Sequence, residues 1–274
     1  MPDEQLSAPG LSRSRTTSWI GERLLYFDET DSTNDQAVRI AKEGAPDGML
    51  LVADAQTAGK GRKGRSFDSP AHAGIFMSVI LRPFVDPDRA SALTLIAAMA
   101  VQRGMKQTAG LDARIKWPND IVIRAGEEET YRKLCGILTE MSVTDGKVGH
   151  VIIGIGINVG NRRFPEEIAG IATSVFLETG RDVPRTPLIW SIWSAFEPLY
   201  DIFLKTQDLC ALAEDYNAVL VNRGREVRIL DPAGDLQGTA AGINARGELL
   251  VQTDGAVIPV SSGEVSVRGV YGLV

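Results

Sequence analysis

Gln56-Thr57-Ala58-Gly59-Lys60-Gly61-Arg62-Lys63-Gly64-Arg65 is a glycine-rich stretch with four cations and no acid in its last seven residues. The 274-residue chain around it is acidic, with 29 Lys and Arg against 35 Asp and Glu for a net charge of −6; without those four cations it would stand at −10. A local basic loop on an acidic chain argues against general nucleic-acid coating and for one small anion held at one place. Glycines let a backbone fold closely over a phosphate, and arginine forks meet its oxygens in pairs. A solvated basic turn is the competing reading of the same residues. Gly59, Gly61 and Gly64 also fit G-x-G-x-x-G, and the stretch nearly fits a phosphate loop, with Arg65 where lysine belongs. Both patterns require a helix directly afterwards, and Ser66-Phe67-Asp68-Ser69-Pro70 follows instead.

Outward from the loop, short apolar runs alternate with helical patterns from Leu24 onward. A strand is predicted at 49–54 before the loop and another at 74–81 after it. Residues 35–43 read as a helix with Ser32 or Thr33 as N-cap. Asp86-Pro87 looks like a cap and first helical residue. The helix beyond it has Leu93, Ile96, Ala97, Ala100 and Val101 on one face. Strands at 114–117 and 121–124 flank Pro118-Asn119-Asp120, where the proline forbids a regular ladder. Residues 134–143 and 148–159 form a hairpin around Asp145-Gly146. A regular turn there would place Lys133 opposite Asn158. Helical patterns at 186–204 and 208–221 close this region. After Asn222-Arg223-Gly224, turns recur about every ten residues, at 231–234, 244–247, 254–255 and 262–263, as in a small β-barrel of about 50 residues.

Composition narrows the class. Hydrophobic residues at 44% and charged residues at 23% are ordinary for a soluble globular protein. Cys135 and Cys210 cannot build a disulfide framework, which points to a reducing compartment and a cytoplasmic location. The longest apolar runs fall well short of a membrane span. Residues 1–22 are rich in Ser, Thr, Arg and Gly without periodicity, and are expected to be a loose leader. They show no secretory pattern and are too few for a helix-turn-helix.

Five segments, taken together, resemble the biotin protein ligase family. They are Asp31-Ser32-Thr33-Asn34, the glycine loop from Gln56 to Arg65, Lys116-Trp117-Pro118-Asn119-Asp120, Lys133-Leu134-Cys135-Gly136-Ile137-Leu138 and Gly154-Ile155-Gly156-Ile157-Asn158. They stand in the family's order and at its approximate spacing. The resemblance implies an α+β fold: a mixed sheet flanked by helices at 23–222, then an SH3-like barrel at 223–274. It implies activation of biotin by Mg·ATP to biotinyl-5′-adenylate with release of pyrophosphate. Biotin then passes to a lysine of a biotin carboxyl carrier domain, and AMP leaves. Magnesium enters with ATP, no metal site is fixed in the protein, and no prosthetic group is implied. The short leader and net acidity disfavour DNA as a partner; a membrane is not implied, and monomer and homodimer both stay open.

By the same resemblance Ser32, Thr33, Asn34 and Gln56 face the biotin ring. Lys60, Gly61 and Arg62 belong to a loop that closes over biotin and the adenylate. Lys133 sits near the biotin carboxylate and the α-phosphate. Arg62, Arg65, Lys116, Asn119 and Asn158 serve the nucleotide, and the two glycines before Asn158 let adenine approach the backbone. Lys133, Arg62 and Asp120 form the catalytic set, Asp120 positioning the incoming amine, because a carboxylate is a poor base for an ammonium with a pKa near 10.4. Plain alternatives exist for each: an N-cap for Ser32-Thr33, a solvated lysine for Lys133, turn chemistry for Asn119-Asp120. Lys60 and Phe67 stand where arginine and tryptophan are usual, and Gly74 where asparagine is common. His72 reads as a loop residue. The loop at 59–65 is expected to be mobile without ligand. A lipoate or octanoate ligase of the related fold and a non-catalytic sensor are the rival readings.

Overall fold

A computed structural model describes residues 6–126, 130–230, 234–262 and 266–268. Its larger sheet has seven strands: β1 (Leu24–Thr30), β2 (Met49–Gln56), β3 (Gly74–Leu81), β4 (Arg114–Lys116), β5 (Asp120–Ala125), β6 (Thr130–Thr144) and β7 (Lys147–Asn158). Their order is β1-β2-β3-β7-β6-β5-β4. β1 and β2 run parallel and the remaining neighbours antiparallel, so the sheet is mixed as expected.

Side-chain alternation divides the sheet into two buried faces. Leu50, Val52, Ile75, Met77 and Val79 point to a large core shared with α3 (Ala92–Ala109) and α6 (Arg185–Thr206). Leu51, Ile80 and Ile152 point the other way, against Ala37 and Ala41 of α2 (Thr33–Lys42). Covered on both sides, β3 is buried along its whole length, and an unbroken apolar strand is what such a position selects. Gly104 of α3 lies against Ile192 of α6, where an added Cβ would come within 2.6 Å of the isoleucine side chain. Short helices α4 (Glu166–Ala169) and α5 (Val175–Thr179) follow β7, and α7 (Ala213–Val219) follows α6.

Four expectations are corrected. From Leu6 onward the leader is a docked strap rather than a loose tail. Helix α1 (Ala8–Arg13) is capped by Ser7, Leu6 and Leu11 are buried, and Trp190 donates its indole N–H to Leu11 O. Glu197 of α6 then accepts the backbone N–H groups of Ser18, Trp19 and Ile20. Helix α3 starts at Ala92, because the residues after Pro87 form successive turns. The second closing helix covers only Ala213–Val219. The β6–β7 register slips at Ser142/Val143, pairing Cys135 with Ile157, so Lys133 does not face Asn158. Lys133 instead pairs with Val122 of β5 and bridges Ala172 beyond β7. The turn Asp145-Gly146 holds as read, with both residues at positive φ.

Strands β8 (Glu226–Leu230), β9 (Leu236–Ile243), β10 (Leu249–Gln252), β11 (Val257–Val260) and β12 (Ser266–Arg268) form an antiparallel sheet in the order β11-β10-β9-β8-β12. Most of the turn expected at 231–234, and Gly263 of the last one, lie outside the described residues. The two sheets are joined through Trp117, whose indole N–H donates to Gly247 O while its backbone N–H donates to Asn222 Oδ1. Among the described residues no helix is long and apolar enough to cross a membrane.

Candidate active site

The glycine loop leaves the end of β2 and is folded as a small hairpin. Lys60 pairs with Ser66, Gly61 N–H donates to Arg65 O at 2.7 Å, and Phe67 N–H donates to Gly59 O at 2.8 Å. Its tip, Arg62–Gly64, is a single 3₁₀ turn with Lys63 and Gly64 at positive φ. Two side chains anchor it. Lys60 Nζ meets Asp35 Oδ1 of α2 at 2.5 Å, and that bond raises the lysine's pKa. Arg62 donates to Asn119 Oδ1 at 3.1 Å and to Ser262 O at 2.5 Å. Burial lowers the Arg62 pKa, but a guanidinium stays charged at any working pH.

Beneath this hairpin lies a cleft lined by Ser32, Thr33, Asn34, Gln56, Lys60, Gly61, Arg62 and Lys133, with Gly136, Gly154 and Gly156 on its sheet side. Ser32 takes the N-cap position of α2 but makes no side-chain capping bond. Gln56 replaces it: its Oε1 accepts from Thr33 N–H at 2.8 Å, while its Nε2 donates to Ser69 Oγ at 2.9 Å. The end of β2 thereby fixes the start of α2, and both line the cleft. The amide of Asn34 is committed inward, donating to Glu140 Oε2 at 2.8 Å and facing Ser78 Oγ with its oxygen at 2.6 Å.

A second cleft is lined by Arg65, Phe67, Asp120, Lys133, Asn158 and Arg268, with Phe164, Ile168 and Ile171 as an apolar wall. Asn158 Nδ2 donates to Thr173 O at 3.0 Å. Lys133 and Phe67 line both clefts. Lys133 Nζ lies 2.7 Å from Asp120 Oδ1, and Lys116 Nζ lies 3.6 Å from Asp120 Oδ2. Lys116 is almost completely buried, and that desolvation lowers its pKa against the opposing pull of Asp120. The register around Lys133 is set by two backbone bonds outside the main ladder, Lys133 N–H to Ile171 O and Thr173 N–H to Lys133 O.

All the residues singled out from the sequence therefore line these clefts or the groove between them, which Lys116 and Asn119 share. The glycines of β7 have a different use from the one expected. An added Cβ at Gly154 would overlap Asn34 Oδ1, and one at Gly156 would come within 2.9 Å of the Phe67 ring. They make room for the protein's own side chains. The sequence reading missed Ser78, Glu140, the 161–172 wall, Ser262 after β11 and Arg268 of β12. Ser78 sits in an apolar strand, and a lone polar residue there was the available signal; the wall carries no periodic pattern at all. His72 does lie in a loop, its Nδ1 2.7 Å from the buried carboxylate of Asp54, which also meets Arg185 at 2.6 Å.

The fold and the joined clefts define a biotin/lipoate ligase type of catalytic domain. Residues 26–158 match the model of the Biotin/lipoate A/B protein ligase family, and residues 224–268 match that of the biotin protein ligase C-terminal domain. The Bifunctional ligase/repressor BirA of Bacillus subtilis is 37% identical over 251 residues, 91% of this chain and 75% of that protein. The Biotin--[acetyl-CoA-carboxylase] ligase of Mycobacterium tuberculosis is 34% identical, with 96% of this chain and 97% of that protein covered. A structure of the biotin protein ligase from Aquifex aeolicus in complex with biotin and ATP superposes with a TM-score of 0.77 at 29% identity, over 90% of this chain and 99% of that one. The chain belongs to the biotin protein ligase family and is an ATP-dependent biotin ligase.

Proposed function

We propose that the first cleft takes biotin, the second takes the nucleotide, and Lys133 works where they meet. A carboxylate oxygen of biotin attacks the α-phosphorus of Mg·ATP; the bond to the β-phosphate oxygen breaks and pyrophosphate leaves. Two anions approach each other in that step, so fixed positive charge has to stand at the point of contact. Lys133 and Arg62 supply it, Arg65 supports the phosphates, and Asn119 orients Arg62. Ser32, Thr33 and Gln56 offer hydroxyl and amide groups to the ureido ring, whose donors and acceptor each need a partner once buried. The purine lies against the apolar wall beside Asn158.

In the second half, a lysine amine of a biotin carboxyl carrier domain attacks the acyl carbon. The bond to the phosphate oxygen breaks, AMP leaves and the amine loses a proton. Asp120 positions that amine. The observation that carries this reading is the placement of Lys133 in both clefts with Asp120 against it. A net charge of −6 disfavours DNA as a partner, and two unpaired cysteines suit a reducing cytoplasm. The test is ATP-dependent biotin transfer to a purified carrier domain, read by avidin blot. Labelling with lipoate and not with biotin would overturn the reading.

A further inference from the structure

Strand β7 ends at Asn158, and the pairing of β6 with it ends at Cys135 and Ile157. Lys133 therefore lies past the end of that neighbour. Residues 171–173 take its place there. Lys133 N–H donates to Ile171 O at 2.7 Å, and Thr173 N–H donates to Lys133 O at 2.9 Å. The segment is short and belongs to no strand of the sheet, so its order has to come from side chains. Thr173 is fully buried and tied twice more. Its carbonyl accepts from Asn158 Nδ2 at 3.0 Å, and its hydroxyl donates to Glu178 Oε1 of α5 at 2.5 Å. The same Oε1 lies 3.2 Å from Arg132 Nη2, on the residue just before Lys133, and the Glu178 side chain is mostly buried. An ionised carboxylate only accepts. One oxygen of Glu178 thus gathers a donor from each side of the bridge.

We infer that Glu178 and Thr173 are positioning residues for Lys133: they staple the 171–173 segment to β6 and fix the backbone from which the lysine reaches both clefts. A lysine carries its charge on a flexible four-carbon stem. The place of its ammonium is set by the backbone it leaves and by the carboxylate it meets. Asp120 supplies the carboxylate at 2.7 Å, and the staple supplies the fixed backbone. Ile171 belongs both to the bridge and to the apolar wall of the second cleft, so a loosened segment disturbs the lysine and the wall together. The inference rests on the proposed role of Lys133 in adenylate formation.

The test is a double-mutant cycle on single-turnover adenylate formation from biotin and Mg·ATP, run well below the melting temperature of every variant. Glu178→Leu and Thr173→Val should each slow it by about tenfold, since a misplacement of about 1 Å can cost about a hundredfold. Glu178→Gln keeps an oxygen that accepts from Thr173 and should retain most of the rate. Hydrogen exchange at the Lys133 amide should quicken in the Leu and Val variants and not in Gln. In a Lys133→Ala background, adding Glu178→Leu should cost less than about twofold, because residues acting through one another are not additive. An undiminished tenfold loss in that background, unchanged exchange at Lys133, or a Gln variant as slow as Leu would overturn the positioning role alone. Wild-type adenylate formation by Lys133→Ala would remove the proposed role of the lysine, and this inference with it.

Discussion

Asp120 holds Lys133 with one carboxylate oxygen at 2.7 Å and faces Lys116 with the other at 3.6 Å. Asp120 thus faces two cations at the junction of the two clefts. In the proposed mechanism the first half-reaction uses positive charge there, and the second uses a carboxylate there to position the amine. On that reading a single cluster serves both, its parts coming from the neighbouring strands β4, β5 and β6.

Lys133→Ala should lower pyrophosphate release by about a hundredfold or more, the usual scale for removing a fixed charge from a developing anion. Its side chain is one-third exposed, so the melting temperature should barely move. Steady-state pyrophosphate assays and calorimetry check both halves. Wild-type release by the variant would remove Lys133 from the mechanism.

Lys116 is a different case. Its ammonium is buried and its pKa is pulled down by desolvation, so the charge contributes little to folding. Lys116→Met keeps the apolar stem and should leave stability unchanged or slightly raised, as buried ion pairs replaced by apolar groups often do. Transfer from isolated biotinyl-adenylate to the carrier should slow, because Asp120 loses the cation that faces its second oxygen. A destabilisation of several kcal/mol by denaturant titration would instead make the pair structural.

Much of this architecture was legible beforehand, and the misses have identifiable causes. Strand β3 was read to the residue because a fully covered strand is apolar throughout and bounded by glycine and by Arg82-Pro83. The five motifs come together at the clefts because all but the one at 133–138 carry polar groups at a strand end. The hairpin register failed by one residue because the bulge falls at Ser142/Val143, next to the turn, and not at the glycines further along. The strap at 6–22 was misread because its order comes from elsewhere in the chain: Glu197 and Trp190 lie about 180 residues away and no local pattern announces them.

Asp31 offers a pH test of the first motif. Its hydrogen bonds with Arg39 hold its pKa down at about 2, below the ordinary 3.8. An acid lowered on folding stabilises fully above its unfolded pKa and loses that contribution as pH falls through the folded one. The stability difference between wild type and Asp31→Asn should therefore be constant above about pH 4 and vanish near pH 2. It should also be small, since both side chains are well exposed. Chemical denaturation across that range measures it; a difference that grows in acid would contradict the assignment.

The strap makes its own prediction. Glu197→Ala leaves three backbone N–H groups of residues 18–20 without their acceptor. Loss of charge-assisted bonds at a buried site should cost about 3 kcal/mol. Limited proteolysis should then cut near 13–19 first, while KM for biotin at low temperature stays at the wild-type value. A change in KM without loss of stability would tie the strap to the site.

Lys60 stands where the family usually has arginine, and Asp35 is the group that holds it. The hairpin at 59–66 carries four cations, so neutralising one of them at its base reduces the repulsion that favours opening. Asp35→Asn removes that partner. Exchange of the amides at Gly61 and Phe67, which close the hairpin against Arg65 and Gly59, should quicken in the free enzyme, and biotinyl-adenylate should dissociate up to about fivefold faster, the limit for a partly exposed pair. Lys60→Arg should restore neither more nor less than wild-type behaviour, because a guanidinium reaches the same carboxylate. Hydrogen exchange and adenylate release kinetics on the three proteins decide the point. Faster release in Lys60→Arg than in Asp35→Asn would show that lysine holds this loop in a way arginine cannot, and that the pairing with Asp35 is incidental.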